Sequence, residues 1–140
     1  MSKVSLSSQF PVTPDQLWET IGRFAGLHDW HPAVEKTETE GEGVGSTRKL
    51  HLAGSGTIVE KLESRDDGER VYSYSIIDSP LPVSNYHSTL RVRDDVDGKG
   101  SRLEWSSEFQ ANGASETDAV KVIEGIYEAG LANLRKMFGG

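Results

Sequence analysis

Between residues 34 and 110, apolar and polar residues alternate in short runs that are separated by turn-forming residues. Alternation with a period of two is typical of strands that bury one face and expose the other. The runs predict six strands, at roughly 34–40, 46–52, 57–65, 69–77, 84–93 and 101–110. The predicted turns between them are Gly41-Glu42-Gly43, Gly54-Ser55-Gly56, Asp66-Asp67-Gly68, Pro80-Leu81-Pro82 and Asp97-Gly98. Because such short links join neighbouring strands, the pattern predicts an antiparallel meander.

The segment before this meander predicts one further strand and two short helices. Residues 4–8 alternate between apolar and polar side chains, which indicates a strand that ends near Phe10. Thr13, with Gln16 three positions later, matches the capping box of a helix N-terminus. A second short helix or turn is expected over residues 27–32, which end in a proline that cannot continue a helix.

The C-terminal segment predicts a long helix from Ser115 to about Met137, because its apolar residues recur every three or four positions. The predicted inner face consists of Val120, Ile123, Tyr127, Leu131, Leu134 and Phe138. A helix of this length spans roughly 35 Å, enough to lie across the sheet and cover one face of it. Gly125 and Gly130 interrupt the helix, and they either leave room for a ligand beneath it or allow the sheet to approach closely.

Two charged residues break the rule that the inward face of the meander is apolar. Arg48 is in phase with Leu50 on one predicted strand, and Glu60 is in phase with Ile58 on the next. An unpaired charge is costly to bury, so the two residues pair with each other, meet water or contact a polar ligand. The sequence therefore predicts that the sheet and the last helix enclose a cavity.

The other inward positions are mostly aromatic, with a few hydroxyl groups among them. The inward sets are Tyr72, Tyr74 and Ile76, then Tyr86, Ser88, Leu90 and Val92, and finally Leu103, Trp105, Ser107 and Phe109. Tyrosine and tryptophan carry a polar group that needs a partner when buried, which favours a semi-polar pocket. The alternative is that these aromatic residues form an ordinary core beneath the helix.

Several other features suggest chemistry, but none matches a specific motif. His28, Asp29 and His31 are metal-ligand types, yet their spacing fits no zinc site. Trp30 and His31 either form one end of the pocket or serve as a hydrophobic plug with a surface histidine. The glycine-rich segment 41–46 is interpreted as a hairpin loop, because no helix follows it to bind a phosphate. Serines are numerous, but none lies in a nucleophile elbow.

Composition and charge narrow the class of protein and partner. The 140 residues (15.3 kDa) fit one domain, 1–140, and the absence of cysteine excludes disulfides and thiolate chemistry. With 22 acidic and 15 basic residues the net charge is −7, which argues against nucleic acid as a partner. No apolar run approaches the roughly 20 residues that span a bilayer, so we expect no membrane insertion. Because the first ten residues lack the pattern of a signal peptide, a cytoplasmic location is expected.

Short segments spread over the whole chain carry a resemblance to a known family. They are Trp30-His31-Pro32, Gly45-Ser46-Thr47-Arg48, Glu60-Lys61-Leu62, Tyr72-Ser73-Tyr74, Leu81-Pro82-Val83, Asn85-Tyr86 and Trp105. Together with the order of elements, they resemble the START-like (SRPBCC) superfamily, and within it the small bacterial polyketide cyclase/dehydrase-like proteins. The resemblance implies an α+β helix-grip fold: a seven-stranded antiparallel sheet curved around a long C-terminal helix, with two short helices after the first strand.

The resemblance leaves two classes of function open. The favoured one is binding of a small hydrophobic or amphipathic molecule, such as a lipid, polyketide or phenolic compound, by a monomer or homodimer without cofactor or metal. The expected ligand contacts are Trp30, His31, Arg48, Glu60, Tyr72, Tyr74, Tyr86, Trp105, Ile123 and Tyr127. The alternative is a cyclase or aromatase in which Arg48 stabilises an enolate while Glu60 or a tyrosine moves the proton. An ion-paired glutamate is expected to have a low pKa and to be a poor base, which favours binding.

Overall fold

The alternating segments form strands close to the predicted positions in a computed structural model, which describes residues 1–54, 56–95 and 100–139. The strands are β1 (Ser2–Phe10), β2 (Val34–Glu40), β3 (Thr47–Leu52), β4 (Thr57–Asp66), β5 (Val71–Asp78), β6 (Val83–Asp94) and β7 (Ser101–Ala111). The helices are α1 (Pro14–Ile21), a 3-10 helix (Phe24–Asp29) and α2 (Glu116–Phe138). The predicted turn at Asp97-Gly98 and the central residue of the turn at Gly54-Ser55-Gly56 lie outside the described residues.

All seven strands form one antiparallel sheet in the order β1-β7-β6-β5-β4-β3-β2. The meander predicted for β2 to β7 is confirmed, and residues 41–46 connect β2 to β3 as a hairpin loop. β1 joins the far side of the meander by pairing with β7, from Ser2 opposite Phe109 to Phe10 opposite Ser101. The chain therefore passes from one edge of the sheet to the other through α1 and the 3-10 helix. The predicted α+β helix-grip fold is confirmed.

β5 begins two residues later than the alternation predicts. A turn occupies the start of the predicted segment, where the Glu69 amide donates to the Asp66 carboxylate at 3.2 Å. Arg70 adopts a φ of 52°, a left-handed conformation that interrupts the extended backbone of a regular strand. Regular pairing with β6 therefore starts at Val71.

The predicted caps begin both α-helices. The Thr13 hydroxyl accepts a hydrogen bond from the Gln16 amide at 3.1 Å, and the Gln16 side chain accepts one from the Thr13 amide at 2.9 Å. The Ser115 hydroxyl accepts from the Asp118 amide at 3.1 Å at the start of α2. Such caps satisfy amides that have no partner within the helix, and each contributes about 1 kcal/mol.

Helix α2 covers the sheet and is tied to β1 near both of its ends. The Ser2 hydroxyl donates to the Glu116 carboxylate at 2.8 Å, and the Arg135 guanidinium donates to the Ser8 hydroxyl at 3.1 Å. The buried face of α2 consists of Ala119, Ile123, Tyr127, Gly130, Leu131 and Leu134. Among residues 1–54, 56–95 and 100–139, no helix combines the length and apolar character needed to cross a membrane.

The two glycines of α2 have different surroundings. A Cβ atom on Gly130 would lie 2.9 Å from Trp30 Cζ3 and 3.0 Å from His31 Cδ2, so this glycine lets the helix approach those aromatic side chains. Gly125 is exposed and would meet nothing within 4 Å. The close-approach alternative therefore applies to Gly130, while Gly125 faces away from the sheet and leaves no room for a ligand beneath the helix.

This difference predicts opposite effects for the same substitution at two positions of one helix. Gly125→Ala should raise the free energy of unfolding by about 0.5 to 1 kcal/mol, because alanine is the better helix former. Gly130→Ala should lower it by about 1 to 3 kcal/mol, since the new methyl group overpacks against Trp30. Urea denaturation of both variants would measure these changes. A stabilised Gly130→Ala variant would contradict the close contact.

Candidate functional site

Arg48 and Glu60 form a buried ion pair across strands β3 and β4, where they lie directly opposite each other. Arg48 Nε and Nη2 are both 2.8 Å from Glu60 Oε1. Arg48 is 1 % exposed and Glu60 is 5 % exposed, so neither head reaches bulk water. Direct pairing, one of the alternatives raised by their inward phase, is therefore present.

Beyond Glu60, the Arg48 guanidinium contacts a backbone carbonyl and three aromatic rings. Its Nη1 donates to the carbonyl oxygen of Phe24 at 2.9 Å, and its central carbon lies 4.2 Å from the centre of the Phe24 ring. The same carbon is 5.0 Å from the Tyr74 ring centre and 5.9 Å from that of Tyr72. Such contacts over aromatic faces stabilise a buried cation. The ion pair thus joins the 3-10 helix to the sheet.

The pKa of Glu60 is raised, whereas the sequence led us to expect that pairing would lower it. Removal from water raises the pKa of Glu60, and the attraction of the Arg48 guanidinium offsets this only in part. The expectation that pairing gives this glutamate a low pKa is therefore wrong, because desolvation outweighs the pairing. For Arg48, burial acts to lower the pKa, but the Glu60 carboxylate raises it, and the net direction is upward.

His31 is buried, with 2 % of its surface exposed, and both of its ring nitrogens are engaged. Nδ1 accepts a hydrogen bond from the Ala33 amide at 3.2 Å, so Nε2 carries the proton and donates to the Ile126 carbonyl at 2.7 Å. Burial lowers the pKa of His31, which favours this neutral form. The alternative of a surface histidine is therefore wrong.

Trp30, the neighbour of His31, is also fully buried and meets the Trp105 ring edge-on with the ring centres 5.5 Å apart. Its carbonyl accepts a hydrogen bond from the Asn133 side chain of α2 at 2.9 Å.

In the part of the chain that the structure describes, no group of three histidine, aspartate or glutamate residues could hold a metal ion.

A chain of hydroxyl groups links three tyrosines and a serine beneath α2. The Ser88 hydroxyl donates to the Ser106 carbonyl at 3.0 Å and has no second hydrogen to give. The 3.0 Å contact between Ser88 and Tyr127 must therefore use the hydrogen of Tyr127. Tyr86 in turn donates to Tyr127, and Tyr74 lies 3.5 Å from Tyr86 at the end of the chain.

Trp105 supports this hydroxyl chain (Tyr74, Tyr86, Tyr127 and Ser88) from one side. Its indole Nε1 lies 3.2 Å from the Tyr74 hydroxyl and 3.1 Å from the Ser88 hydroxyl, and it donates to both. The Trp105 ring also stacks on the Tyr127 ring, with centres 4.1 Å apart. The hydrogens of Ser88, Tyr127 and Tyr86 are each committed to a neighbour, whereas Tyr74 faces Tyr86 at 3.5 Å and a Ser88 hydroxyl that already accepts two hydrogen bonds.

Beside this polar wall lies a cavity of about 260 Å³ between the first half of α2, strands β2 to β7 and the 3-10 helix. Its polar or aromatic lining residues are His31, Glu60, Tyr74, Tyr86 and Trp105. The aliphatic lining residues are Leu27, Ala33, Val34, Leu50, Leu52, Ala53, Ile58, Ile76, Leu81, Val122, Ile123 and Ile126. An apolar cavity with a few grouped polar atoms is the usual form of a small-molecule site.

The residues expected from the sequence to contact a ligand separate into two layers. His31, Glu60, Tyr74, Tyr86, Trp105 and Ile123 line the cavity. Trp30, Arg48, Tyr72 and Tyr127 do not line it, and each is a buried neighbour of a lining residue. This second layer holds the first one in position.

Sequence reasoning missed most of the aliphatic lining residues. Leu50, Ile58 and Ile76 carry the same inward phase as the two charges, so their alternation was a usable signal. Ala33 and Ala53 lie between elements and have no periodic neighbours that could have revealed them.

A family model described as polyketide cyclase / dehydrase and lipid transport matches residues 1–139 of the chain. The match covers every element of the fold and all the residues around the cavity.

Solved structures of similar proteins share the whole architecture. Protein XoxI from Bacillus cereus is 36% identical, with a TM-score of 0.93, over 99% of this chain and 96% of that one. An uncharacterised protein from Bacillus thuringiensis is 35% identical, with a TM-score of 0.91, over 98% of both chains. A protein from Thermobifida fusca is 25% identical, with a TM-score of 0.88, over 99% of this chain and 94% of that one.

Proposed function

The chain belongs to the polyketide cyclase / dehydrase and lipid transport family, and on that premise we propose that it binds a small hydrophobic or amphipathic molecule between the sheet and α2. The observation that carries the proposal is the cavity itself, whose wall is aliphatic except for a group of polar and aromatic residues on one side. Burial of apolar ligand surface against such a wall is favourable by about 25 cal/mol per Å².

The volume of the cavity limits the part of a ligand that it encloses. At the ~30 Å³ that a water molecule occupies in the liquid, about 260 Å³ corresponds to roughly nine non-hydrogen atoms. A short alkyl chain or a single substituted aromatic ring has this size. Among the ligand classes that the family suggests, we therefore favour a compact phenolic molecule or the end of a lipid chain.

The proposed entrance lies between α2 and the segment after β3. Val122 on α2 is 38 % exposed and also lines the cavity. Ala53, in the segment after β3, is also exposed and lines the cavity. A ligand that enters here would pass apolar side chains before it meets the polar wall.

Two substitutions on neighbouring positions of β4 test the proposal. Ile58→Phe enlarges a cavity-lining side chain, whereas Val59→Phe enlarges one on the opposite face of the same strand. Native mass spectrometry of the purified wild-type protein is expected to show a co-purifying small molecule. Ile58→Phe should reduce its occupancy at least tenfold, and Val59→Phe should leave it unchanged.

Loss of the bound molecule in both variants, or in neither, would contradict the proposed site. Circular dichroism of both variants controls for folding, since overpacking of a core costs typically about 1 to 3 kcal/mol.

A cyclase remains the second candidate, and one observation favours it. Glu60 and Tyr74 both line the cavity, and the raised pKa of Glu60 makes it a better proton acceptor than an exposed carboxylate. Two observations argue against a cyclase. Glu60 Oε1 is engaged with Arg48, and the cavity volume is small for a poly-β-keto chain, which must fold within the cavity to close a ring.

An assay of ring closure would test the cyclase. Closure of a poly-β-keto substrate by the wild-type protein, lost in Tyr74→Phe at unchanged substrate affinity, would establish the enzyme over the binding protein.

A further inference from the structure

The polar groups on the cavity wall differ in how many of their hydrogen-bonding positions are already used. His31 has both ring nitrogens engaged, one with the Ala33 amide and one with the Ile126 carbonyl. Trp105 has its only donor committed to the hydroxyl chain. Tyr86 gives its hydrogen to Tyr127. These three residues can offer a ligand ring surfaces and apolar contact, but no unused hydrogen.

Glu60 has an unused acceptor. Both Arg48 contacts are made to Oε1, and Oε2 accepts no hydrogen bond from the residues that the structure describes. Glu60 is 5 % exposed and lines the cavity, and its Oε2 is not fully enclosed by protein. A ligand that fills the cavity without a donor would enclose this oxygen unpaired, at a cost of about 1 to 3 kcal/mol. A ligand that brings a donor would remove this cost.

Tyr74 has the hydroxyl hydrogen that is least used. Its contact with Tyr86 is 3.5 Å, beyond the 2.5–3.0 Å of a normal O–H···O bond, and its other hydroxyl neighbour, Ser88, already accepts from Tyr127 and Trp105. The hydroxyl rotates about the C–O bond, so the hydrogen can turn to a better acceptor without any movement of the ring. Tyr74 lines the same cavity as Glu60, and its ring contacts the same Arg48 guanidinium. The two unused positions therefore belong to one side of the cavity.

Charge further restricts what can bind there. Among the described residues no lysine or arginine lines the cavity, and the nearby Arg48 guanidinium is occupied by Glu60, the Phe24 carbonyl and the surrounding rings. A ligand carboxylate would meet the Glu60 carboxylate without a cation to receive it. A ligand ammonium would lose its hydration next to a carboxylate that Arg48 already neutralises. Both ions are therefore disfavoured relative to a neutral head group.

We propose that the cavity is selective for a neutral hydroxyl group at the end of a compact apolar molecule. The hydroxyl donates to Glu60 Oε2 and accepts the hydrogen of Tyr74, and the apolar remainder fills the aliphatic part of the cavity. An alcohol and a phenol share this chemistry, whereas a fatty-acid carboxylate does not. The inference rests on the proposed binding function and adds the class of ligand to it.

A matched set of small probes tests the head group on the wild-type protein. 1-Octanol and 4-ethylphenol carry the hydroxyl group. Heptyl methyl ether is an isomer of 1-octanol whose oxygen can accept a hydrogen bond but cannot donate one. Octanoate carries the negative charge that the proposal excludes. Isothermal titration calorimetry at neutral pH should give 1-octanol at least a tenfold higher affinity than the ether, because the ether leaves Glu60 Oε2 unpaired. Octanoate should bind at least a hundredfold more weakly than 1-octanol. Whether 4-ethylphenol or 1-octanol binds more tightly distinguishes a phenol from an alcohol.

Tyr74→Phe provides the second arm, and this variant retains the ring against Arg48. It should weaken the binding of 1-octanol and of heptyl methyl ether by a similar factor of about ten, because the oxygen of either molecule accepts the hydrogen of Tyr74. The preference for 1-octanol over the ether, which depends on Glu60 Oε2, should remain. Ile58→Phe should abolish binding of every probe, which locates the binding in the cavity.

The outcomes separate the two proposals. Equal affinity for 1-octanol and its ether, or tighter binding of octanoate, would overturn the hydroxyl assignment and leave cavity binding intact. Binding of no probe at all, or binding that Ile58→Phe does not change, would overturn both.

Discussion

Replacing Glu60 with leucine is expected to lower the free energy of unfolding by about 3 to 5 kcal/mol. The change leaves the Arg48 guanidinium buried at 1 % exposure without its counter-ion. Arginine keeps its proton at any ordinary pH, so the protein cannot relieve the cost by neutralising the charge. Because domains of this kind unfold at a total cost of about 5 to 15 kcal/mol, the variant should lie near the limit of stable folding.

Removal of the other partner is expected to cost less, and the cost should depend on pH. In Arg48→Met the remaining Glu60 can take up a proton, and burial already raises the pKa of this carboxyl. A raised native pKa means that the folded state prefers the protonated form. The loss in Arg48→Met should therefore be smallest below pH about 4 and should grow as the pH rises toward the native pKa.

Urea denaturation of both single variants and of the double variant Arg48→Met/Glu60→Leu measures these effects. The double variant is the matched control, since replacing a whole buried pair with apolar residues is often neutral or stabilising. It should recover most of the stability lost in Glu60→Leu. If the double variant were as unstable as Glu60→Leu, the loss would come from packing and not from the unpaired charge.

The protein is expected to lose stability steeply above pH about 10, because Tyr74, Tyr86 and Tyr127 resist ionisation. Burial raises the pKa of Tyr127 to about 12, and it also raises the pKa of Tyr74 and of Tyr86 well above the usual value. The stabilising contribution of such a group is fully present below its unfolded pKa of ~10 and disappears as the pH rises through the native pKa. Tyr127 alone contributes roughly 3 kcal/mol to this loss, since each pKa unit corresponds to about 1.4 kcal/mol.

Two measurements check the alkaline loss. Urea midpoints should fall between pH about 10 and pH about 12, and the ultraviolet absorbance of tyrosinate should rise together with the loss of folded structure. Tyr127→Phe removes one titrating group, so its stability should depend less steeply on pH even if the variant starts from a lower value. Ionisation of all the tyrosines near pH ~10 in a protein that stays folded would contradict the buried hydroxyl chain.

The two predictions concern the same part of the molecule, the polar wall of the cavity. The Arg48–Glu60 pair and the hydroxyl chain hold the side chains of this wall in one arrangement through hydrogen bonds and ring contacts. The rest of the described lining is aliphatic. A site of this kind fixes a ligand's polar end while it tolerates variation in the apolar remainder.

Local sequence patterns determined the elements and the direction of the side chains. Alternation placed Arg48 and Glu60 on the inward face, and the register of β3 and β4 brings them directly opposite each other. The cap residues Thr13 and Ser115 correctly marked the first residues of both α-helices. Such features depend on residues within a few positions of each other, which is why a single sequence contains them.

The candidate site was only partly predictable. Inward phase correctly indicated that Glu60, Tyr74 and Tyr86 would face the interior, and these residues line the cavity. The same phase could not separate Tyr72, which lies in the second layer, from Tyr74 in the first. Both are inward on one strand, and their difference comes from the elements that pack over them.

The tertiary structure alone decided how the buried polar groups are satisfied. The third contact of Arg48 comes from a carbonyl 24 positions away in the chain, and the hydrogen on His31 Nε2 is donated to a carbonyl 95 positions away. The pairing of β1 with β7 and the raised pKa of Glu60 likewise depend on what surrounds them in space. The sequence by itself determined which residues point inward. Burial and contacts between distant segments decided which of these residues pair, which line the cavity and which keep a proton. Local periodicity contains no information on desolvation or on long-range contacts.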